Sequence, residues 1–225
     1  GSIVRGHQSY HANDRRIEFI PPAAVKAGKN LVEYLIVRDA MPYVDLGSPV
    51  FGERGEVEAA YGPQAFMLGP FEQICIVAGF ILAGFAFVVF LQSEAKGFPL
   101  ALCIMALAWT LKAHFYAWSE PPFGGMGRLY YYFMVTALIP ISWLNFANEW
   151  SGRHRRWIRW SCLGVAVAAA GFIAYCLWGL PPDQGFDLAS EVLNFGGTAL
   201  MGVTLVFLVW HFSRHGESRY WEIAI

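Results

Sequence analysis

The chain has 225 residues, 56% of them apolar and only 15% charged, where soluble domains carry about a quarter. With 16 basic and 17 acidic side chains it has a formal net charge of -1, which gives no overall basic excess for a nucleic-acid partner. This composition excludes an ordinary soluble domain and points to a membrane. All four cysteines (Cys75, Cys103, Cys162 and Cys176) sit in apolar runs, so they read as small core residues and not as a disulfide framework.

Nearly half of the charged side chains fall within residues 1–69, which read as a β-rich extracytoplasmic segment. "RRIEFI" before Pro21 and Pro22, "LVEYLIV" at 31–37 after the turn "KAGKN", and "SPVFG" before "ERGE" are short runs rich in β-branched and aromatic residues. Each is bounded by Pro or Gly, the pattern of a strand. Three or four strands do not close a sandwich, so the segment is expected to be the later half of one. The opening "GSIVRGHQSYHANDRR" lacks the apolar core of a signal peptide. His7 and His11 stand four apart, but no helical apolar face or third ligand accompanies them, so no metal site is predicted.

Five apolar runs follow, each close to the 20 or so helical residues that cross a bilayer: 71–91, 98–118, 129–147, 160–180 and 192–212. Strands cannot satisfy their backbone alone in lipid, so all five are predicted to be helices, the third kinked at Pro140. Short connections make successive helices antiparallel. Residues 70–214 thus form a five-helix bundle, and 215–225 form a tail or, through "YWEIAI", the opening of a further helix in a longer parent.

Charges on the connections orient the bundle. "SGRHRRWIRW" supplies Arg153, Arg155, Arg156 and Arg159 between the third and fourth helices, whereas "PPDQGFDLASE" supplies only acids. Placing the arginines in the cytoplasm leaves residues 1–69 outside it and the C-terminus inside. Each arginine gains about 1 kcal/mol from nearby anionic lipid, while Trp157 and Trp160 suit the interfacial aromatic belt. The aromatic and basic mixture thus reads as a topology signal and not as a nucleic-acid patch.

Ionisable groups inside a bilayer are costly and carry a functional expectation. At the outer level, Glu72, Lys112, His114, Glu191 and Asn194 are expected to line one polar layer, with Glu72 or Glu191 as the counter-ion of Lys112. The alternative is that Lys112 snorkels to the interface and His114 bonds locally. Toward the inner side, Asn145 and Asn148 share a helix face and are expected to bridge helices. His114 and His211 lie at opposite depths, which does not suit haem, and "PPFGGMGR" lacks the Lys-Ser/Thr pair of a phosphate loop. No cofactor is predicted. The runs "AGFILAG" and "GGTALMG" offer small residues for close helix packing or a dimer seam.

"IEFIPPAAVKAGKNLVEYLIV" and "GSPVFGERGEVEAAY", followed directly by a transmembrane helix, resemble the bacterial seven-transmembrane receptors with diverse intracellular signalling modules. The likeness runs through Pro21, Pro22, Gly28, Asn30, Val50 and Gly52, and through Phe146, Ala147, Gly152, Arg155 and Arg156 at the basic loop, and covers most of 15–222. It implies a jelly-roll-like sensor segment in the periplasm, anchored in a bacterial inner membrane and feeding a histidine kinase, a diguanylate cyclase or a similar output. The chain departs from that pattern in lacking early sensor strands, two last helices and an output domain. No phosphoacceptor box or "GGDEF" is present, so no enzymatic activity is expected of this chain itself.

The expected function is therefore a membrane-embedded signal-sensing and transducing module. Its expected partners are the lipid bilayer, a small-molecule or protein ligand on the extracytoplasmic face, and a second copy or a partner membrane subunit. The rival is an accessory subunit of a larger membrane complex. A transporter would need an inverted repeat or midplane polar residues, and Ala83, Met105, Thr136 and Ala169 offer neither.

Overall fold

A computed structural model of the chain describes residues 52–117, 125–152 and 154–215, together with scattered positions between 20 and 31. Six helices account for nearly all of it: α1 (Arg54–Leu68), α2 (Pro70–Gln92), α3 (Gly97–Ala117), α4 (Gly125–Trp150), α5 (Arg156–Gly179) and α6 (Pro182–His215). Helices α2 to α6 are long and apolar enough to cross a membrane. Among the described residues there is no strand. The expected strands at 15–20, 31–37 and 48–52 lie almost wholly outside the described residues.

Residues 54–68, counted with the β-rich segment in the sequence, form a helix instead. "RGEVEAAYGPQAFML" is rich in helix formers, and Arg54 bonds Glu58 one turn later at 2.7 Å. The proline at the first position of α2 suits its role there, because its missing N–H would have had no helical partner.

The last helix also differs from expectation. It begins at Pro182 and runs for 34 residues, so that the acidic connection before position 192 is helical. Pro182 again occupies a first helical position, and Asp183 places negative charge at the positive end of the helix dipole. At about 1.5 Å per residue, α6 is about 50 Å long, well beyond a hydrocarbon core of about 30 Å. Asp183, Asp187 and Glu191 recur every fourth residue along one exposed face of its first turns. Charged and polar, this part of the helix belongs in headgroups or water.

Helix α4 is the hub. It packs against α3, α5 and α6, whereas α2 packs on α3 and α1. The most apolar span, α2, leaves most of its surface exposed to lipid, as α6 does. Along α4 the contacts form three tiers. Leu129, Phe133 and Ala137 meet Ile173, Cys176, Leu177 and Ala189. Ile141 meets Ile158 and Cys162, and Ala147 meets Leu208 and Phe212. Small residues (Ala83, Ala86, Cys103 and Ala106) join α2 to α3. In lipid the hydrophobic effect cannot pull helices together, so close approach has to come from such residues. Gly79 against Thr110, and Gly185 against the Cys176 carbonyl, leave no room for a Cβ.

Candidate functional site

Two polar clusters occupy opposite ends of the α3 and α4 pair. Near the end that carries the α3 to α4 connection, Lys112 donates to Thr136 Oγ1, whose own hydroxyl donates to the Tyr132 carbonyl at 2.7 Å. The Lys112 ammonium also lies 3.5 Å from the centre of the Tyr132 ring and 5.4 Å from that of Tyr116. One turn along, the guanidinium of Arg128, buried at 4% exposure, sits 4.9 Å from the Phe115 ring, which packs 5.0 Å from Tyr132. Tyr131 donates to the Leu111 carbonyl at 2.8 Å. Two cations are thus laid on an aromatic wall, where ring quadrupoles replace part of their lost hydration.

The polar layer expected from the sequence is divided in this arrangement. Glu72 is half-buried and lies within electrostatic reach of Tyr116, and His114 is half-buried on α3. Glu191 and Asn194 are exposed on α6, which packs on α4 and α5, and Asn194 bonds Ser190 at 3.3 Å. Among the described residues Lys112 forms no ion pair, so neither Glu72 nor Glu191 serves as its counter-ion. A hydroxyl and two rings take that role, which a one-dimensional depth count could not reveal.

At the opposite end, the turn from α4 to α5 is held by Asn148 and Glu149. The fully buried Asn148 accepts the Arg155 backbone N–H at Oδ1 (3.1 Å), and its amide lies 3.4 Å from the Arg155 carbonyl. This pairing ties the last turn of α4 to the entry of α5. Asn145, one turn earlier, has a buried Oδ1 that takes no hydrogen bond among the described residues. Glu149 has a side chain only 1% exposed; its Oε1 accepts from Arg159 Nη2 at 2.6 Å, and its Oε2 meets His154 Nδ1 at 2.8 Å. A carboxylate can only accept, so Nδ1 carries the proton.

The turn that permits this has two left-handed residues, Gly152 at φ 69° and His154 at φ 44°. Glycine adopts that region freely; a histidine there is strained by about 1 kcal/mol, which the bond to Glu149 offsets. The start of α3 closes the corner. A Cβ at Gly97 would overlap Glu149 Oε2 and lie 3.1 Å from Arg159 Nη2. Ala95, Gly97, Phe98, Glu149, His154 and Arg159 enclose a hollow of about 310 Å³.

The arginine loop therefore does more than mark topology. Arg159 is a half-exposed partner of a buried acid, and Arg155 is bonded through its backbone. Arg155, Arg156, Trp157 and Trp160 point outward, the tryptophans at 63% and 70% exposure. Arg153 lies outside the described residues. Glu149, His154, Tyr132 and Arg128 carry no motif in the sequence, and Thr136, expected there only as a small midplane residue, bonds Lys112. Glu149 did leave a signal, as the lone acid before a Gly-containing turn with an arginine ten residues on. That spacing places the two side by side once the helices turn back on each other.

Among the described residues, no three His, Cys, Asp or Glu side chains are grouped to hold a metal. The chain matches no known family model, curated protein or solved structure.

Proposed function

We propose that this chain is the membrane-embedded sensing and transducing module of a bacterial receptor, which passes an extracytoplasmic stimulus to a cytoplasmic output domain. The observation that supports this reading is that α4 carries a polar cluster at each end: Thr136 and Tyr132 hold Lys112 toward one face, and Asn148 and Glu149 hold the α5 turn at the other. A packed helix that bears directional contacts at both faces can carry a displacement from one to the other as a rigid body, which isolated apolar contacts specify less sharply. A ligand on the outer face favours one helix arrangement only by binding it more tightly than the other. In this reading residues 1–69 are periplasmic and the arginine turn and C-terminus cytoplasmic. A second copy, or a partner membrane subunit, packs where Gly84, Gly196 and Gly202 face open space.

The test is the reading frame that continues from Ile225, followed by a substitution. An in-frame kinase or cyclase domain supports the receptor; a stop codon overturns it in favour of an accessory subunit. In the receptor, Lys112→Met is expected to change output at fixed stimulus at least several-fold. Unchanged basal and stimulated output would reduce Lys112 to an anchor.

A further inference from the structure

The hollow at the arginine-bearing corner is open and largely apolar, with the Arg159 guanidinium in its wall. Arg159 presents five N–H donors in a planar fork, and one bond, to Glu149, is all it makes among the described residues. Its side chain is 53% exposed and that of His154 58% exposed. The one carboxylate in the wall has both oxygens engaged, Oε1 by Arg159 and Asn148 and Oε2 by His154. Outside the hollow, Lys96, Arg155 and Arg156 are exposed against a single exposed acid nearby, Glu94. An approaching anion therefore meets a positive rim.

The depth of the hollow narrows the class of anion. Trp157 and Trp160 flank Arg159 and are exposed to the surroundings, which sets this level among the lipid headgroups. Ala95 and Phe98 make the rest of the wall apolar, suited to the carbon atoms next to a charged group. A volume of about 310 Å³ is at the small end of ligand clefts and fits a headgroup, not a whole lipid. Guanidinium and phosphate oxygens match as a two-point pair. A cation would face Arg159 directly, and a neutral ligand would leave the fork unsatisfied.

We propose that this hollow binds one phosphate group, that of an anionic phospholipid headgroup, through the free edge of the Arg159 guanidinium. The site does not depend on the transducing role, since binding is read on the purified chain and not on any output.

The test is native mass spectrometry of the chain in neutral detergent with equimolar phosphatidylglycerol and phosphatidylcholine. Both lipids carry the phosphate, but phosphatidylcholine brings an ammonium against Arg159, so wild type is expected to retain phosphatidylglycerol at least about tenfold over phosphatidylcholine. Ala95→Trp fills the hollow without touching the Glu149 to Arg159 bond and is expected to bring the ratio to parity with an unchanged melting temperature. The double variant Arg155→Gln, Arg156→Gln thins the rim and leaves the hollow, so it is expected to keep the preference. Three results overturn the proposal: no preference in wild type, preference retained by Ala95→Trp, or preference lost in the double variant. Inorganic phosphate added at the lipid concentration separates the sources. No displacement supports the lipid headgroup, and full displacement assigns the hollow to a free phosphate ion instead.

Discussion

Glu149, in the last turn of α4, accepts from Arg159 in the first turn of α5 at 2.6 Å with a side chain only 1% exposed, while Arg159 is 53% exposed. The pair is lopsided, and so are the expected costs of breaking it. Arg159→Met leaves the buried carboxylate with only His154 and Asn148 to hold it and is expected to destabilise by about 3 kcal/mol, the low end for a broken buried pair. Glu149→Gln strands only a half-solvated guanidinium and is expected to cost about 1 kcal/mol. Denaturant titration of both variants in detergent measures this, with the double variant closing the cycle. Equal costs would contradict the burial difference.

Gly97 tests the same corner from α3. Because a Cβ there overlaps the Glu149 carboxylate, Gly97→Ala is expected to cost about 1–3 kcal/mol by forcing the acid off its partners. Gly164→Ala, on open α5 surface, is the control and is expected to be neutral or mildly stabilising. A thermal melt of each in detergent decides it; a neutral Gly97→Ala would show that the close approach is not maintained.

The hairpin of α5 and α6 predicts a sharper penalty. At Gly185 the obstacle is the Cys176 backbone carbonyl, which cannot rotate away as a side chain can. Gly185→Ala is expected to cost about 2–3 kcal/mol, and Gly196→Ala, which faces nothing within 4 Å, to cost little. The melting temperatures of the two should therefore separate clearly.

Lys112 should behave in the opposite sense to Arg159. Among the described residues it has no carboxylate partner, so Lys112→Met removes a desolvated charge and strands only Thr136, a hydroxyl already bonded to Tyr132. Stability is expected to change by less than about 1 kcal/mol. A large loss in denaturant titration would mean that the contacts with the two tyrosine rings hold α3 to α4.

Orientation is tested by labelling. In a variant with the four native cysteines replaced, Arg156→Cys is expected to react with a membrane-impermeant thiol reagent only after lysis, and Asp183→Cys in intact cells. Both positions are exposed. The reverse pattern would place the arginine turn outside.

Much of the membrane architecture was legible in the chain because long apolar runs have a single solution in lipid, a helix with its hydrogen bonds closed internally. The ends of those helices were less so. The acidic connection before Val192 reads as a loop when polarity is equated with irregularity, yet Pro182 and Asp183 are good residues with which to start a helix. Residues 54–68 were grouped with neighbouring strand-like runs, although their own composition favours a helix.

The polar sites were the least legible part. Ranking groups by depth put Lys112, Glu191 and Asn194 in one layer, but depth gives no azimuth. Only the tertiary structure shows that Glu191 is exposed on α6, a helix that packs on α4 and α5, while Lys112 is held by Thr136 and Tyr132. The arginines announced themselves by number, and Glu149 was hidden among them as a single opposite charge. What the sequence determined alone was the count of crossing helices and the concentration of positive charge at one turn, because both follow from hydropathy and charge along the chain. Which acid Arg159 serves, which rings replace a counter-ion at Lys112, and that a hollow opens beside Gly97 were decided by the tertiary structure, because each depends on the rotation of one helix against another.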